Sequence, residues 1–431
     1  MNEANGTRRV AIVAGCRTPF CRAGTALKDK SAVDLARFAV VELVHRANLD
    51  GKVLDEVYFG QVLASPLAPN LAREVSLLPQ FPPDVPAASV NRACASANQA
   101  VVLAGDQIRM GHARVVIAGG AESLSQVPIM HSQRFSDFLV RLSRAKSLTA
   151  RMGLLLSVRP RDLVPVTPAI AEPSTGESMG QSAEKMAKVN GITREEQDRY
   201  ALRSHRLAHA GTKDGRLTSE IASVLETGPT GLVQEDNGIR PDTNIEQLAE
   251  LKPVFDRRYG SVTAGNSSPL TDGASALLLM SEEAAAALGY EPLAFLRSYA
   301  VAAVDPGDQL LMGPAIAVPK ALDRAGITWR ELGLVEMHEA FAAQVLSNIQ
   351  ALESARWAES RLGRSKPVGE VNWETLNVMG GSIAIGHPFG ATGGRIILTL
   401  ANEMVRRDVQ FGLVSMCAQG GMGLAMVLER R

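Results

Sequence analysis

Four side chains in this chain stand where reactive groups would be useful: Cys94, His338, His387 and Cys417. Cys94 lies in Asn-Arg-Ala-Cys-Ala-Ser, between a short β-type run and an alanine-rich helical pattern. Amides at a helix N-terminus stabilise a thiolate by charge–dipole attraction, which suits a nucleophile. A small cysteine packing a strand–helix corner would read the same way. His387 sits in Gly-Gly-Ser-Ile-Ala-Ile-Gly-His-Pro-Phe-Gly-Ala-Thr-Gly, where repeated glycines permit tight turns and close approach of a substrate. With an unperturbed pKa near ~6.5, an imidazole there can take a thiol proton near neutrality. Cys417 ends an apolar run over 411–416 and precedes Ala-Gln-Gly-Gly-Met-Gly, so its thiol would emerge at the mouth of a sheet. A phosphate-cradling loop competes for that segment, but no lysine follows at the Walker spacing and Gly-x-Gly-x-x-Gly is not completed. His338 follows the apolar pair Leu334-Val335 in Met-His-Glu-Ala-Phe, at a strand-to-helix junction, and reads equally as functional or structural. Glu339 beside it is either a carboxylate placed for the helix dipole or an orienting hydrogen-bond acceptor. His338 and Glu339 have no further ligands at regular spacing, so no metal site is expected.

The elements that must position these residues follow an α/β rhythm. A strand over 10–14, a helix near Ala32–Ala47 and a strand over 56–59 lead to a strand over 88–91. That strand runs into the Cys94 turn, a helix to about Arg109 and a strand over 115–118. The C-terminal third repeats the pattern: a strand over 375–378, the glycine-rich turn with His387, a helix over 395–406 and a strand over 412–416. Two related units of this kind can set two reactive turns face to face. The stretch 125–263 differs in texture, with basic patches, prolines and a polar helical region over 180–210, and reads as an inserted lid or binding domain. An apolar run over 275–280 then rejoins the first sheet. The expected division is 1–124 with 264–291, an insertion over 125–263, and a second half over 292–431.

Composition narrows the function classes. At 431 residues and 46% apolar content the chain builds two or three domains. Lysine plus arginine balances aspartate plus glutamate at 45 each and aromatics make up 4%, which argues against nucleic acid as a partner. Cys16, Cys21, Cys94 and Cys417 lack zinc-knuckle spacing, so a reducing, cytoplasmic setting is expected. The polar residues 1–9 and the brief apolar run after them do not make a signal peptide. No apolar stretch reaches membrane-spanning length. Between 132 and 168, Arg134, Arg141, Arg144, Lys146, Arg151, Arg159 and Arg161 alternate with Phe135, Phe138, Leu139, Leu142 and an apolar run over 152–156. Such a segment docks on a membrane surface or a partner, or is a solvated helix covering an active-site tunnel.

Taken together, the Cys94 block, His338-Glu-Ala-Phe, Gly386-His-Pro-Phe-Gly-Ala-Thr-Gly and Cys417-Ala-Gln-Gly-Gly resemble, in order, the signatures of the thiolase family. Arg17-Thr-Pro-Phe and Thr263-Ala-Gly-Asn-Ser-Ser extend the resemblance over nearly the whole chain. It implies a five-layered fold of two similar α/β halves with a loop domain inserted in the first. It also implies a 3-ketoacyl-CoA thiolase of fatty-acid β-oxidation in which Cys94 is the acylated nucleophile, His387 accepts its proton and Cys417 is the acid/base. His338 would hold an oxyanion-site water. The backbone amides of Cys94 and Gln419 would form a second oxyanion site, with Gln419 standing where the family has glycine or alanine. Ser268 matches a position contacting the pantetheine arm, or is an ordinary turn serine. Coenzyme A is then a substrate and no cofactor is required, and its nucleotide end would meet basic residues of the insertion. His338 in place of the usual asparagine, together with 132–168, resembles the β-subunit type of the fatty-acid oxidation trifunctional complex. That implies a homodimer or larger assembly and a hydratase/dehydrogenase α-subunit as partner. The rivals are an acetoacetyl-CoA-forming thiolase, a decarboxylating ketoacyl synthase, which would carry histidine rather than Cys417, and a silent lipid-binding scaffold.

Overall fold

Strand β1 (Val10–Arg17) sends Ala11 and Val13 into one apolar cluster and Val10 and Ile12 into another. That two-residue period is what a strand covered on both faces requires. The computed structural model describes residues 8–165, 171–225 and 231–430. After β2 (Cys21–Arg22), α1 (Ala32–Ala47) starts at a Ser31/Asp34 capping box and stops at Asn48 in the left-handed conformation. β3 (Glu56–Gly60), α2 (Leu71–Ser76), β4 (Ala87–Val90), α3 (Ser96–Met110) and β5 (Val115–Glu122) complete the first unit.

The middle of the chain holds α4 (Gln133–Arg144), α5 (Leu148–Leu155), α6 (Met179–Asn190), α7 (Arg194–Lys213), the antiparallel pair β6 (Val224–Leu225) and β7 (Leu232–Val233), and α8 (Ile245–Ala249). β8 (Thr271–Ser281) then returns to the first unit and lies between β1 and β5, antiparallel to both. The second unit follows α9 (Glu282–Leu288): β9 (Ala294–Ala303), α10 (Gly313–Ala325), β10 (Leu334–Met337), α11 (Ala342–Glu353), α12 (Ala355–Trp357), α13 (Ser382–Ile385), α14 (Thr392–Arg407), β11 (Phe411–Ala418) and β12 (Met422–Glu429).

The strands form one ten-stranded mixed sheet in the order β10-β11-β12-β9-β1-β8-β5-β3-β4, with β2 attached to β8. Its halves mirror each other about the β1/β9 junction, where only Ala11↔Phe295 and Ile12↔Ala294 pair. Three apolar clusters separate the layers. α1 and α2 cover the outer face of the first half, α10 and α11 cover that of the second, and α3 and α14 lie together between them. The alternation persists across the sheet: in β12, Leu424, Met426 and Leu428 face the middle layer while Ala425 and Val427 face α10.

One sequence expectation needs correction. Residues 375–378 form no strand; a single bridge joins Leu376 to Val335, and Asn377 at φ +44° turns the chain before pairing can continue. The segment occupies the place beside β10 that β4 holds beside β3. The helical region over 180–210 is two helices, α6 and α7, because α6 ends on the left-handed Gly191 and Thr193 caps α7.

α4 and α5 bury no residue against the rest of the protein. Phe135 and Phe138 stack at 5.6 Å, and Arg134 pairs with Asp162 at 3.4 Å. The end of the basic–apolar stretch, 166–168, lies outside the described residues. Among the described residues no helix is long and apolar enough to cross a membrane.

Candidate active site

Each of the four reactive residues stands at or just beyond the C-terminal end of a strand or in a turn entering a helix. The turn between β4 and α3 is held by short side chains: Asn91 Oδ1 accepts from the Ala93 amide at 2.9 Å, and Ser96 Oγ accepts from the Arg92 amide at 2.9 Å and donates to the Ala93 carbonyl at 2.6 Å. Ala93 is forced to φ +46°, a conformation costing about 1–3 kcal/mol in a non-glycine residue, and Cys94 follows it. Gly60 lets this turn settle on β3, since a Cβ there would lie 2.5 Å from the Ser96 carbonyl carbon. Gly120 does the same between halves: its Cβ would lie 1.9 Å from the Gly390 carbonyl oxygen, three residues beyond His387.

In the second half, His338 and Glu339 follow β10 directly. Glu339 is an orienting acceptor. It takes hydrogen bonds from Tyr200 Oη at 3.0 Å, Ser204 Oγ at 2.7 Å, Asn377 Nδ2 at 2.8 Å and the Ile383 amide at 3.2 Å, tying α7 to the turn that carries α13. His338 Nδ1 meets Ser382 Oγ at 3.1 Å, and Arg395 Nη2 donates to that same oxygen at 3.2 Å. His387, between α13 and α14, places Nδ1 2.6 Å from Thr392 Oγ1. The Nε2 atoms of both histidines are buried and make no hydrogen bond. The two rings lie 4.2 Å apart, tilted by 51°.

Cys94, His387 and Cys417 line one cavity of about 90 Å³, with Ser268, Gln419, Leu311, Phe341 and Phe389 among its walls. His338 packs against the His387 ring, its ligand atom within 4.8 Å of those of Cys94 and His387. The Gln419 amide and the Cys94 amide both point at the Cys94 sulfur. The Gln419 side chain turns aside, Nε2 donating to the Ala171 carbonyl at 2.8 Å, so its length does not fill the space in front of the thiol. Ser268 is half-buried at the rim and its amide donates to the Ala340 carbonyl at 2.9 Å.

Burial dominates the electrostatics. It pushes the Cys94 thiol up to about 12, against the two amides, which pull it down. Cys417 is held well above the usual thiol range by burial and then by Cys94. His387 is pushed down to about 3 by burial and then by the Arg395 charge; His338 is pushed well below the usual imidazole range by burial, then by His387 and then by Arg395. The helix-terminus stabilisation expected for Cys94 is therefore outweighed by desolvation, and the resting pair is a neutral thiol beside a neutral imidazole. Cys94, His338 and His387 could together bind a soft divalent ion, which would occupy the thiolate and both imidazoles at once.

Sequence reasoning missed the supporting groups. Glu122, ending the apolar β5, accepts from the amides of Val62, Leu63 and Gly390, each at 3.0 Å, and so joins both halves beneath the cavity. Burial pushes its carboxyl up to about 7. A charged residue closing an apolar strand was the available signal. Ser382, Thr392 and Arg395 had none, since their partners are distant in sequence or differ only by side-chain direction.

Residues 10–283 match the thiolase N-terminal domain and residues 290–430 the thiolase C-terminal domain. The chain is 48% identical over 421 residues to a 3-ketoacyl-CoA thiolase of Aliivibrio fischeri, covering 98% of this chain and 95% of that one. It is 48% identical to the 3-ketoacyl-CoA thiolase of Pseudoalteromonas translucida, over 98% and 97% of the two chains. Among solved structures, the Bacillus anthracis acetyl-CoA acetyltransferase superposes with a TM-score of 0.85 at 34% identity, covering 99% of this chain and all of that one. Human mitochondrial 3-ketoacyl-CoA thiolase in complex with CoA superposes at 0.82 and 33% identity, over 99% and 98% of the chains.

Proposed function

This chain belongs to the thiolase family of acyltransferases, and from that premise we propose that it cleaves 3-ketoacyl-CoA with coenzyme A to give acetyl-CoA and a shortened acyl-CoA in fatty-acid β-oxidation. The observation that carries this reading is the convergence of Cys94, His387 and Cys417, drawn from both halves, on one cavity. The Cys94 sulfur attacks the ketone carbon while its proton passes to His387 Nε2. The carbon–carbon bond then breaks, leaving the acyl group on Cys94 and an acetyl-CoA enolate that takes a proton from Cys417. The Cys417 thiolate next takes the proton of an incoming CoA thiol, whose sulfur displaces the acyl group from Cys94, and the departing Cys94 thiolate takes back the proton held on His387 Nε2. His338 and His387 face one developing oxyanion, with His338 acting through a held water; the Cys94 and Gln419 amides face the other. Ser268, at the rim, contacts the pantetheine arm.

Residues 1–124 with 264–291 and residues 292–431 serve as the two catalytic halves, and 125–263 as the loop domain that receives the nucleotide of CoA. The free, buried Cys16 and Cys21 suit a reducing cytoplasmic setting. A homodimer or larger assembly is the working unit, with a hydratase/dehydrogenase subunit as partner. The test is CoA-dependent loss of 3-ketoacyl-CoA enolate absorbance across chain lengths. Cleavage by wild type and none by Cys94→Ser is expected; equal rates for both would refute the assignment.

A second reading concerns α4 and α5. They bury nothing, yet expose Leu139, Val140, Leu148, Met152, Leu155 and Leu156 beside Arg141, Arg144 and Arg151. This composition suits the surface of an anionic membrane. Flotation with anionic liposomes is expected to carry wild type upward and to lose it when these arginines become glutamine; equal flotation would refute membrane contact.

A further inference from the structure

We propose that the two neighbouring imidazoles are held in opposite tautomers, His338 with its proton on Nε2 and His387 with its proton on Nδ1, and that Ser382 with Arg395 and Thr392 are the positioning residues that set them. The inference rests on the catalytic reading of the site above. It begins with the single proton of Ser382. Arg395 is a donor only, and its Nη2 occupies a lone pair of Ser382 Oγ. The one other partner of that oxygen among the described residues is His338 Nδ1, at 3.1 Å. The hydroxyl proton therefore goes to Nδ1, because the reverse arrangement would bury it with no acceptor. His338 must then carry its own proton on Nε2, the buried nitrogen left without a hydrogen-bond partner.

At His387 the polarity is reversed. The Pro388 carbonyl, 3.0 Å away, takes the single Thr392 hydroxyl proton, which leaves Oγ1 to accept from Nδ1–H at 2.6 Å, the arrangement His387 needs if Nε2 is to take the Cys94 proton. Nε2 of His387 is left with a bare lone pair. Both rings are neutral at ordinary pH, since burial pushes His387 down to about 3 and His338 well below the usual imidazole range, so each holds one proton to place.

The arrangement matters because it changes during the reaction. Before attack the pair offers one acceptor and one donor. As the Cys94 sulfur bonds to the ketone carbon, its proton moves to His387 Nε2, and the carbonyl π electrons move onto oxygen. Both Nε2 atoms are then donors, directly or through a held water, at the moment the oxyanion exists. Two donors that coexist only then stabilise the transition state rather than the bound substrate. Collapse of the adduct returns the electrons to the carbonyl as the carbon–carbon bond breaks, and the electron pair of that bond leaves on the acetyl-CoA enolate.

The test is long-range ¹H–¹⁵N correlation on full-length protein labelled at histidine, with the two rings assigned through His338→Asn and His387→Asn. The expected spectrum has His338 protonated at Nε2 and His387 at Nδ1; the same tautomer at both would overturn the proposal. Ser382→Ala is expected to give His338 mixed tautomers and to lower kcat about tenfold, a bias of one power of ten, with KM within about twofold. Ser382→Thr, which keeps the hydroxyl, should restore both readings. An Ala variant with unchanged His338 signals and kcat would overturn the role of Ser382. The tautomers are read without turnover, so opposite tautomers in a protein that cleaves no 3-ketoacyl-CoA would support this inference while refuting the thiolase activity.

Discussion

Cys94, the proposed nucleophile, is kept protonated. With the thiol up at about 12 and His387 down at about 3, proton transfer must accompany attack rather than precede it. Iodoacetamide labelling of Cys94, followed by peptide mass spectrometry, should keep accelerating from pH 7 to 9.5. Levelling near the ordinary thiol pKa of about 8.5 would show a thiol the pocket does not hold up. The division of labour between the cysteines gives a second prediction: Cys94→Ser should form no acyl adduct with substrate, whereas Cys417→Ala should acylate yet turn over at least about 10³-fold more slowly. Intact-mass trapping separates the two. The identities of these residues were legible because each sits in a local run of small residues, at a strand end for the two cysteines and between two helices for His387. The protonation states were not, because desolvation is a property of the assembled interior. Ser382, Thr392 and Arg395 were invisible for the same reason, although Ser382 and Thr392 lie in the very block that marks His387.

Helices and strands were read well wherever the apolar period was unbroken. α1 is found over Ala32–Ala47 as expected, and β11 extends the expected strand by one residue at its start and two at its end. The failures fall where a backbone turn overrides pattern. Residues 375–378 carry strand-like residues, but Asn377 spends its side chain on Met337, accepting from the amide at 2.7 Å and donating to the carbonyl at 2.8 Å, and leaves the sheet. The meeting of Gly120 in β5 with Gly390 yields the test at this scale. Gly120→Ala should force those turns apart, destabilise the fold by about 1–3 kcal/mol in urea titration and reduce kcat. A variant of wild-type stability and rate would mean that the two turns do not need this contact.

For the molecule as a whole, buried ionisable groups pull stability in opposite directions with pH. Histidines pushed down by burial contribute stability that is present above about pH 6.5 and lost as pH falls. His205 of α7, at about 4, is one; its Nδ1 accepts from the Arg240 amide at 3.2 Å. Glu122 at about 7 and Glu336 at about 8 act oppositely, their contribution being full below about pH 4.5 and lost as pH rises through those values. Wild-type melting temperature should therefore change little between pH 5 and 7. The stability gap between wild type and His205→Gln should be on the order of 2 kcal/mol near pH 7 and shrink towards pH 4. A gap constant with pH would contradict a neutral buried His205. The duplicated layout was legible from the repeated rhythm, but the thinness of the β1/β9 junction was not, because strand pairing between distant segments leaves no local mark. That thinness has a consequence for how the molecule can be taken apart. Residues 286–289, just before β9, are exposed, and what holds the halves together is the shared layer of α3 and α14 rather than the peptide link. Two polypeptides cut at that link and co-expressed should find each other and reassemble into a working enzyme, a split protein whose complementation is scored simply by the return of its activity.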